Sequence, residues 1–170
     1  TAAHRQFSGD RITAETVGDL APPWRFDSGQ KRDFDTVQST PVFTGSAVVT
    51  VTIAGDVVAL DPASGAVIWR TSLAKPAGRR GIAYRPEPEG GGSLFVPSRD
   101  GVHRLDAATG KETRLFPSGL SLLQPIPIGE TLYVATPRDG LKAFDMASGE
   151  LVWHRPLDKG GVRVRAVSYT

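Results

Sequence analysis

The stretch ALDPASGAVIW at residues 59–69 returns as RLDAATGKETR at 104–114 and as AFDMASGELVW at 143–153, and its reading decides the fold. Each copy follows an apolar run and a glycine-containing turn, and each carries D-x-x-[ST]-G at its centre. A phrase that recurs in this way dictates an architecture of similar, stacked units. Asp61 and Asp106 are 45 residues apart and Asp106 and Asp145 are 39 apart. Their mean of 42 falls in the range of four-stranded propeller blades, about 40–45 residues. At an offset of 84, residues 38–69 lie on 122–153 without a gap, with Pro41 on Pro125, Gly45 on Gly129 and Trp69 on Trp153. The chain therefore reads as an all-β tandem copy of a two-blade unit. It supplies about three full blades plus partial strands at both ends, an incomplete ring.

Residue type places the strands inside one copy. Pro41 opens a first strand, where a missing N–H is tolerated. Gly45-Ser46 turns the chain into AVVTVTI (47–53), which is β-branched, apolar and fit for burial. Gly55-Asp56 turns it again into VVALD (57–61), and AVIWR (66–70) is the outer strand. The other copies offer SLFVPS with VHRLD and TLYVAT with LKAFD, each pair joined by an R-D-G turn for which a type I′ hairpin is expected. The stretch 12–20 is the one candidate for a short helix, capped by Thr13. The repeated Asp is expected to accept from backbone N–H groups two residues on, with Ser64, Thr109 or Ser148 in support. Gly65, Gly110 and Gly149 then supply a positive φ. The Trp four residues later is a flat anchor between blades, whose indole N–H seeks a backbone partner. These residues read as structural rather than catalytic.

With 170 residues, 39% hydrophobic and 22% charged, the chain suffices for one ordinary domain with a packed core. A formal charge of +2 gives little reason to expect nucleic acid. There is no cysteine, which excludes disulfides, thiolate metal sites and thiol nucleophiles. No apolar run approaches the roughly 20 residues of a membrane span. The first residue is Thr1 rather than Met, which reads as a processed or excised piece, a fragment of a longer protein. His4, His103 and His154 are scattered, without metal spacing and without a Ser in triad context. EGGGS (89–93) precedes a strand and lacks Lys, so it is no phosphate loop. The acidic EPEG run before it shows no partner in the sequence.

The pattern A-x-D-x-x-[ST]-G-x-x-x-W resembles the tryptophan-docking repeat of quinoprotein dehydrogenases, eight-bladed propellers that carry pyrroloquinoline quinone (PQQ) and calcium. The copies at Ala59, Asp61, Gly65 and Trp69 and at Ala143, Asp145, Gly149 and Trp153 match in full, whereas the middle copy has Arg104 and Arg114 in place of Ala and Trp. FSGDRITAETVGDLAPPWRFDSG (7–29) is similar to the N-terminal stretch of these enzymes, with Trp24 belonging to the closing blade. QSTP (38–41) resembles their E-x-T-P, and RRGIAY (79–84) their R-G-V-x-Y, most like the membrane-associated glucose and polyol dehydrogenases.

The resemblance implies that Arg80 and Gln38 hold the cofactor. A guanidinium suits a carboxylate of the quinone through its fork of donors, and Gln38 keeps hydrogen-bonding ability where the family has a carboxylate. The alternative for Arg80 is a strand Arg that pairs across blades or is solvated. The catalytic residues and a metal site are not assignable: ATPRDG (135–140) stands where some members place a calcium ligand, and it has no Glu. The resemblance implies part of a PQQ-dependent dehydrogenase that oxidises a sugar, polyol or alcohol and passes electrons to quinone or cytochrome, this chain alone being inactive. The alternative is a non-catalytic propeller of PQQ-like repeats serving as a protein-interaction scaffold or sensor domain. Either implies a periplasmic or other extracytoplasmic place, PQQ and calcium only in a complete dehydrogenase, no nucleic acid, and membrane association of the full-length protein. The expected layout is one propeller segment over 1–170: an N-terminal stretch with a closing-blade strand (1–37), blades at 38–79, 80–121 and 122–161, and the start of another at 162–170. The partners implied are the remaining blades of a longer chain or another subunit.

Overall fold

The computed structural model describes residues 13, 18, 21–29, 39–88 and 91–156. Among these residues twelve strands form three four-stranded antiparallel sheets, each a meander in sequence order. The first sheet holds β1 (Val42–Phe43), β2 (Val48–Val51), β3 (Val57–Leu60) and β4 (Val67–Thr71). The second holds β5 (Ala83–Pro86), β6 (Gly92–Pro97), β7 (Val102–Asp106) and β8 (Glu112–Phe116). The third holds β9 (Ile126–Ile128), β10 (Thr131–Thr136), β11 (Gly140–Asp145) and β12 (Leu151–Arg155). Each sheet is a propeller blade, and the three do not close a ring. The candidate helix at 12–20 and the acidic tip at 89–90 lie outside the described residues, save Thr13 and Gly18.

Burial follows strand order. The middle strands are the most apolar and the most sealed: β3 and β6 are buried along their whole length. The outer strands β4 and β12 are largely exposed. One apolar cluster joins blade one to blade two, with Val49, Val57 and Ala59 meeting Ile82, Leu94 and Leu105. A second joins blade two to blade three, where Phe95, Val102 and Phe116 meet Leu132, Val134 and Phe144. Phe116 stands between Phe95 and Phe144, ring centroids 6.2 and 5.9 Å away. Burial of this apolar surface is the driving force that stacks the blades.

All three blades carry the same bulge. Ala59 faces Trp69 and Leu60 faces Val67, so Ile68 is the extra residue of β4. The shift recurs between Arg104 and Leu105 and between Ala143 and Phe144. A bulge re-aims the side chains beyond it and increases local twist. Here it sets Trp69 opposite Ala59 and Trp153 opposite Ala143, and in the middle blade Arg114 opposite Arg104.

The R-D-G turns depart from expectation. A type I′ turn needs positive φ at both central residues, and among the described residues no non-glycine has positive φ. Instead Ser98 N–H donates to Gly101 O at 2.7 Å, and Thr136 Oγ1 to Gly140 O at 3.0 Å. The Ser or Thr closing β6 or β10 takes over the work that a left-handed pair of residues would have done.

Candidate functional site

Each repeat turn is built by its Asp. Asp61 Oδ1 accepts from Ala63 N–H, Ser64 N–H and Ser64 Oγ–H at 2.9, 2.7 and 2.8 Å. Asp106 and Asp145 make the same three contacts in their own turns. These bonds favour the ionised carboxylate. The Ser64 hydroxyl does most to hold Asp61 below its usual range, the Thr109 hydroxyl does so for Asp106, and the Ser148 N–H for Asp145. Gly65 and Gly110 then turn with φ of 72° and 71°, and both lie flat beneath an indole.

That indole comes from the preceding unit. Trp24 Nε1–H donates to Pro62 O at 2.9 Å, and Trp69 Nε1–H to Ala107 O at 3.2 Å, both 38 residues ahead. A Cβ on Gly65 would meet the Trp24 ring at 2.6 Å, so the turn glycine is also the floor of an indole seat. At the next seat Arg114 replaces Trp: its guanidinium lies over Gly149 and donates to Ser148 O. Arg104 stands directly opposite Arg114, where the other blades pair Ala with Trp. Arg104 is drawn off by Glu87 at 2.9 Å and by Ser93 Oγ at 2.8 Å. The acidic loop therefore has a partner after all, on a strand 17 residues away. Hydrogen bonds from Ser93 and then Arg104 hold the Glu87 carboxyl low.

Of the two residues chosen as cofactor contacts, Gln38 lies outside the described residues. Arg80 is exposed. Its backbone forms an isolated parallel bridge with Leu123, where the first strands of blades two and three come together. Beside it Gln124 Nε2–H donates to Ile82 O at 3.0 Å. A tricarboxylate quinone with calcium requires several converging donors and six to eight oxygen ligands. Among the described residues no group of three or more His, Asp or Glu is arranged to hold a metal ion. The described residues do not make a seat for that cofactor, and no reaction step is derived through it.

One polar cluster was not foreseen. His103 is 2% exposed, with Nδ1 2.8 Å from Glu112 Oε1 and Nε2 3.0 Å from Ser98 Oγ and 3.1 Å from Asp100 Oδ1. The ring contacts a serine that the sequence did not place beside it. The spacing hid it, because Glu112 enters from the next strand and Ser98 from across a turn. The triad-like geometry does not make a hydrolase. Ser98 is fully buried, and its hydroxyl contacts Asp100 and Gly101 O, so no substrate reaches it. Burial pushes the Asp100 carboxyl up, but hydrogen bonds from Ser98 and His103 outweigh it and hold the group low.

The indole seats, spaced by a fixed number of residues, invite comparison with known propellers. The model of the family described as outer membrane protein assembly factor BamB matches residues 11–169. The chain belongs to the BamB family. BamB from Moraxella catarrhalis superposes with a TM-score of 0.56 at 25% identity, over 69% of this chain and 39% of that one. A europium-containing methanol dehydrogenase superposes with 0.66 at 22% identity, over 85% and 28%. A computationally designed protein, Ika4, gives 0.60 at 14% over 82% and 83%. The methanol dehydrogenase and Ika4 likenesses show the fold alone. No curated protein matches. The chain spans about two fifths of the Moraxella BamB and under a third of the methanol dehydrogenase. BamB and the quinoprotein dehydrogenases share the PQQ-like repeat, and the present chain is built of it.

Proposed function

We propose that this BamB-family stretch belongs to a non-catalytic propeller that acts as a docking platform in the assembly of outer-membrane proteins, on the periplasmic side. The observation that carries this reading is the family match over nearly the whole chain. Chemistry supports it. The polar clusters of the described residues are spent internally: repeat carboxylates in their own turns, Glu87 on Arg104, and the buried His103 on Ser98, Asp100 and Glu112. A platform needs rigid blades and exposed edges, and it needs no reacting group. The remaining blades, from a longer chain or another subunit, complete the ring.

A second reading, a PQQ-dependent dehydrogenase of sugars, polyols or alcohols, draws on the exposed Arg80 and on the methanol dehydrogenase fold covering 85% of the chain. In that protein PQQ would supply hydride acceptance and calcium a Lewis acid. One experiment separates the two. The intact protein is tagged in its own host, cross-linked, and isolated from the envelope, and a portion is incubated with PQQ and calcium before gel filtration. Co-isolation of outer-membrane assembly proteins, with no quinone absorbance in the protein peak, is the expected result. Retained quinone together with dye reduction by glucose or simple alcohols overturns the platform reading in favour of the dehydrogenase.

A further inference from the structure

The two rims of the arc carry opposite charge. On one rim lie the turns that follow the second strand of each blade (β2–β3, β6–β7 and β10–β11) and the crossovers between blades. Hydrogen bonds hold them side by side. Ala77 N–H donates to Gly55 O at 3.0 Å, Gly78 N–H to Pro97 O at 2.6 Å and Ser121 N–H to Ser98 O at 2.8 Å. Lys142 Nζ donates to Ser118 O at 3.0 Å. Exposed on this rim are Lys75 and Arg80 of the first crossover, Arg99 and Arg138 in the second and third turns, and Arg155 at the end of β12. Among the described residues none of these cations has a side-chain hydrogen bond or ion pair. The carboxylates of the same rim are already engaged. Asp56 is held by Arg70 and Ser72, Asp100 by Ser98 and His103, and Asp139 by Lys142 and His154.

The other rim reverses the sign. It carries the repeat turns with Asp61, Asp106 and Asp145, and the exposed Glu130 and Glu150. Its arginines are occupied: Arg85 by Glu130, Arg104 by Glu87 and Arg114 by Ser148 O.

We infer that the rim of crossovers and second-strand turns is the docking face of this propeller, and that it takes an acidic polypeptide segment whose carboxylates pair with Lys75, Arg80, Arg99 and Arg138. The inference rests on the platform reading and gives that platform a face and a partner chemistry. A guanidinium offers a carboxylate a fork of donors. Arg99 and Arg138 are 39 residues apart and hold the same place in successive blades, so the positive points recur at blade spacing on a rigid frame. An anionic lipid surface answers instead to a cluster of about four to eight basic residues. Here each R-D-G turn offers a single cation followed by an engaged carboxylate, which suits the separate side chains of an extended acidic segment. The acidic rim repels the same segment and so fixes which face it meets.

The test is binding of a fluorescent poly-L-glutamate peptide to the intact protein. The wild type should bind, and more weakly as salt is added. The triple variant Lys75→Gln, Arg99→Gln, Arg138→Gln should bind about tenfold more weakly. A second triple variant, Ala63→Glu, Ala108→Glu, Ala147→Glu, makes the same change of net charge at exposed positions of the opposite rim. It should keep wild-type affinity within about twofold. No binding by the wild type, or equal losses in both triple variants, overturns the docking face. Flotation with phosphatidylglycerol vesicles that the first triple variant abolishes, without peptide binding, overturns the polypeptide assignment in favour of a membrane surface. If the first triple variant loses its β-sheet circular dichroism, Arg99→Gln and Arg138→Gln are read singly, each at about a twofold loss. In the host, outer-membrane assembly proteins should be lost from the first triple variant and kept by the second. Their retention by both leaves the platform reading standing and overturns this face. Their absence from the wild type overturns the platform reading itself, whatever the peptide does.

Discussion

At the scale of the residue, the repeat Asp is a turn-former whose value depends on its charge. Asp106 accepts three hydrogen bonds within its own turn, and its folded pKa is depressed. A depressed carboxylate stabilises above its unfolded value, near 3.9, and that contribution is lost as pH falls through the folded value. Asp106→Asn should therefore lower stability at pH 7 and flatten the loss between pH 5 and 2, read by urea unfolding at stepped pH. An unchanged acid limb would mean that the turn does not depend on the carboxylate charge. This chemistry was legible in the sequence because donor, acceptor and glycine lie within five consecutive residues. The His103 cluster was not, because its members are gathered from a turn and two strands. Nothing local to V-H-R-L-D announces Glu112 as a partner.

At the scale of the element, the bulged pair of third and fourth strands is the unit that varies. Small opposite large, Ala59 with Trp69, becomes Arg104 with Arg114. Like charges directly opposite destabilise a sheet, and the blade relieves this by sending each guanidinium to a different acceptor. The exchange of Trp for Arg114 in the middle copy is a substitution of one docking group for another. The strands themselves were legible from β-branched runs and turn glycines. The type I′ expectation failed because it weighed the D-G pair and not the Ser or Thr in front of it. A double-mutant cycle tests the coupling. Arg114→Trp alone sets an indole against Arg104 and should destabilise, whereas Arg104→Ala with Arg114→Trp rebuilds the pair found in blades one and three. The interaction energy should favour the double variant by about 1–3 kcal/mol, measured by denaturant melts. Additivity within about 0.5 kcal/mol would show that the two arginines do not share a site.

At the scale of the whole molecule, the indole seats form a series with one knob left over. Trp24 and Trp69 are seated, Arg114 is seated in their manner, and Trp153 is 41% exposed, its ring centroid 6.0 Å from that of Tyr133. Beside it Leu151 and Val152 are 51% and 60% exposed, which makes an apolar ledge at the open end of the arc. The same side chain in the same repeat position should thus have two different energies. Trp69→Ala should cost about 2–4 kcal/mol, below the full burial figure because the ring is only partly covered. Trp153→Ala in the 170-residue stretch should cost under about 1 kcal/mol, as for an exposed position. Exposed apolar ledges and unpaired outer strands seek partners. The isolated stretch should therefore sediment as larger species at micromolar concentration, and Trp153→Glu should shift it toward monomer without altering its β-sheet circular dichroism. A monomeric wild-type stretch with the same two mutational costs would show that the ledge alone is too small to drive association. A large cost for Trp153→Ala would place that indole in a seat like those of Trp24 and Trp69.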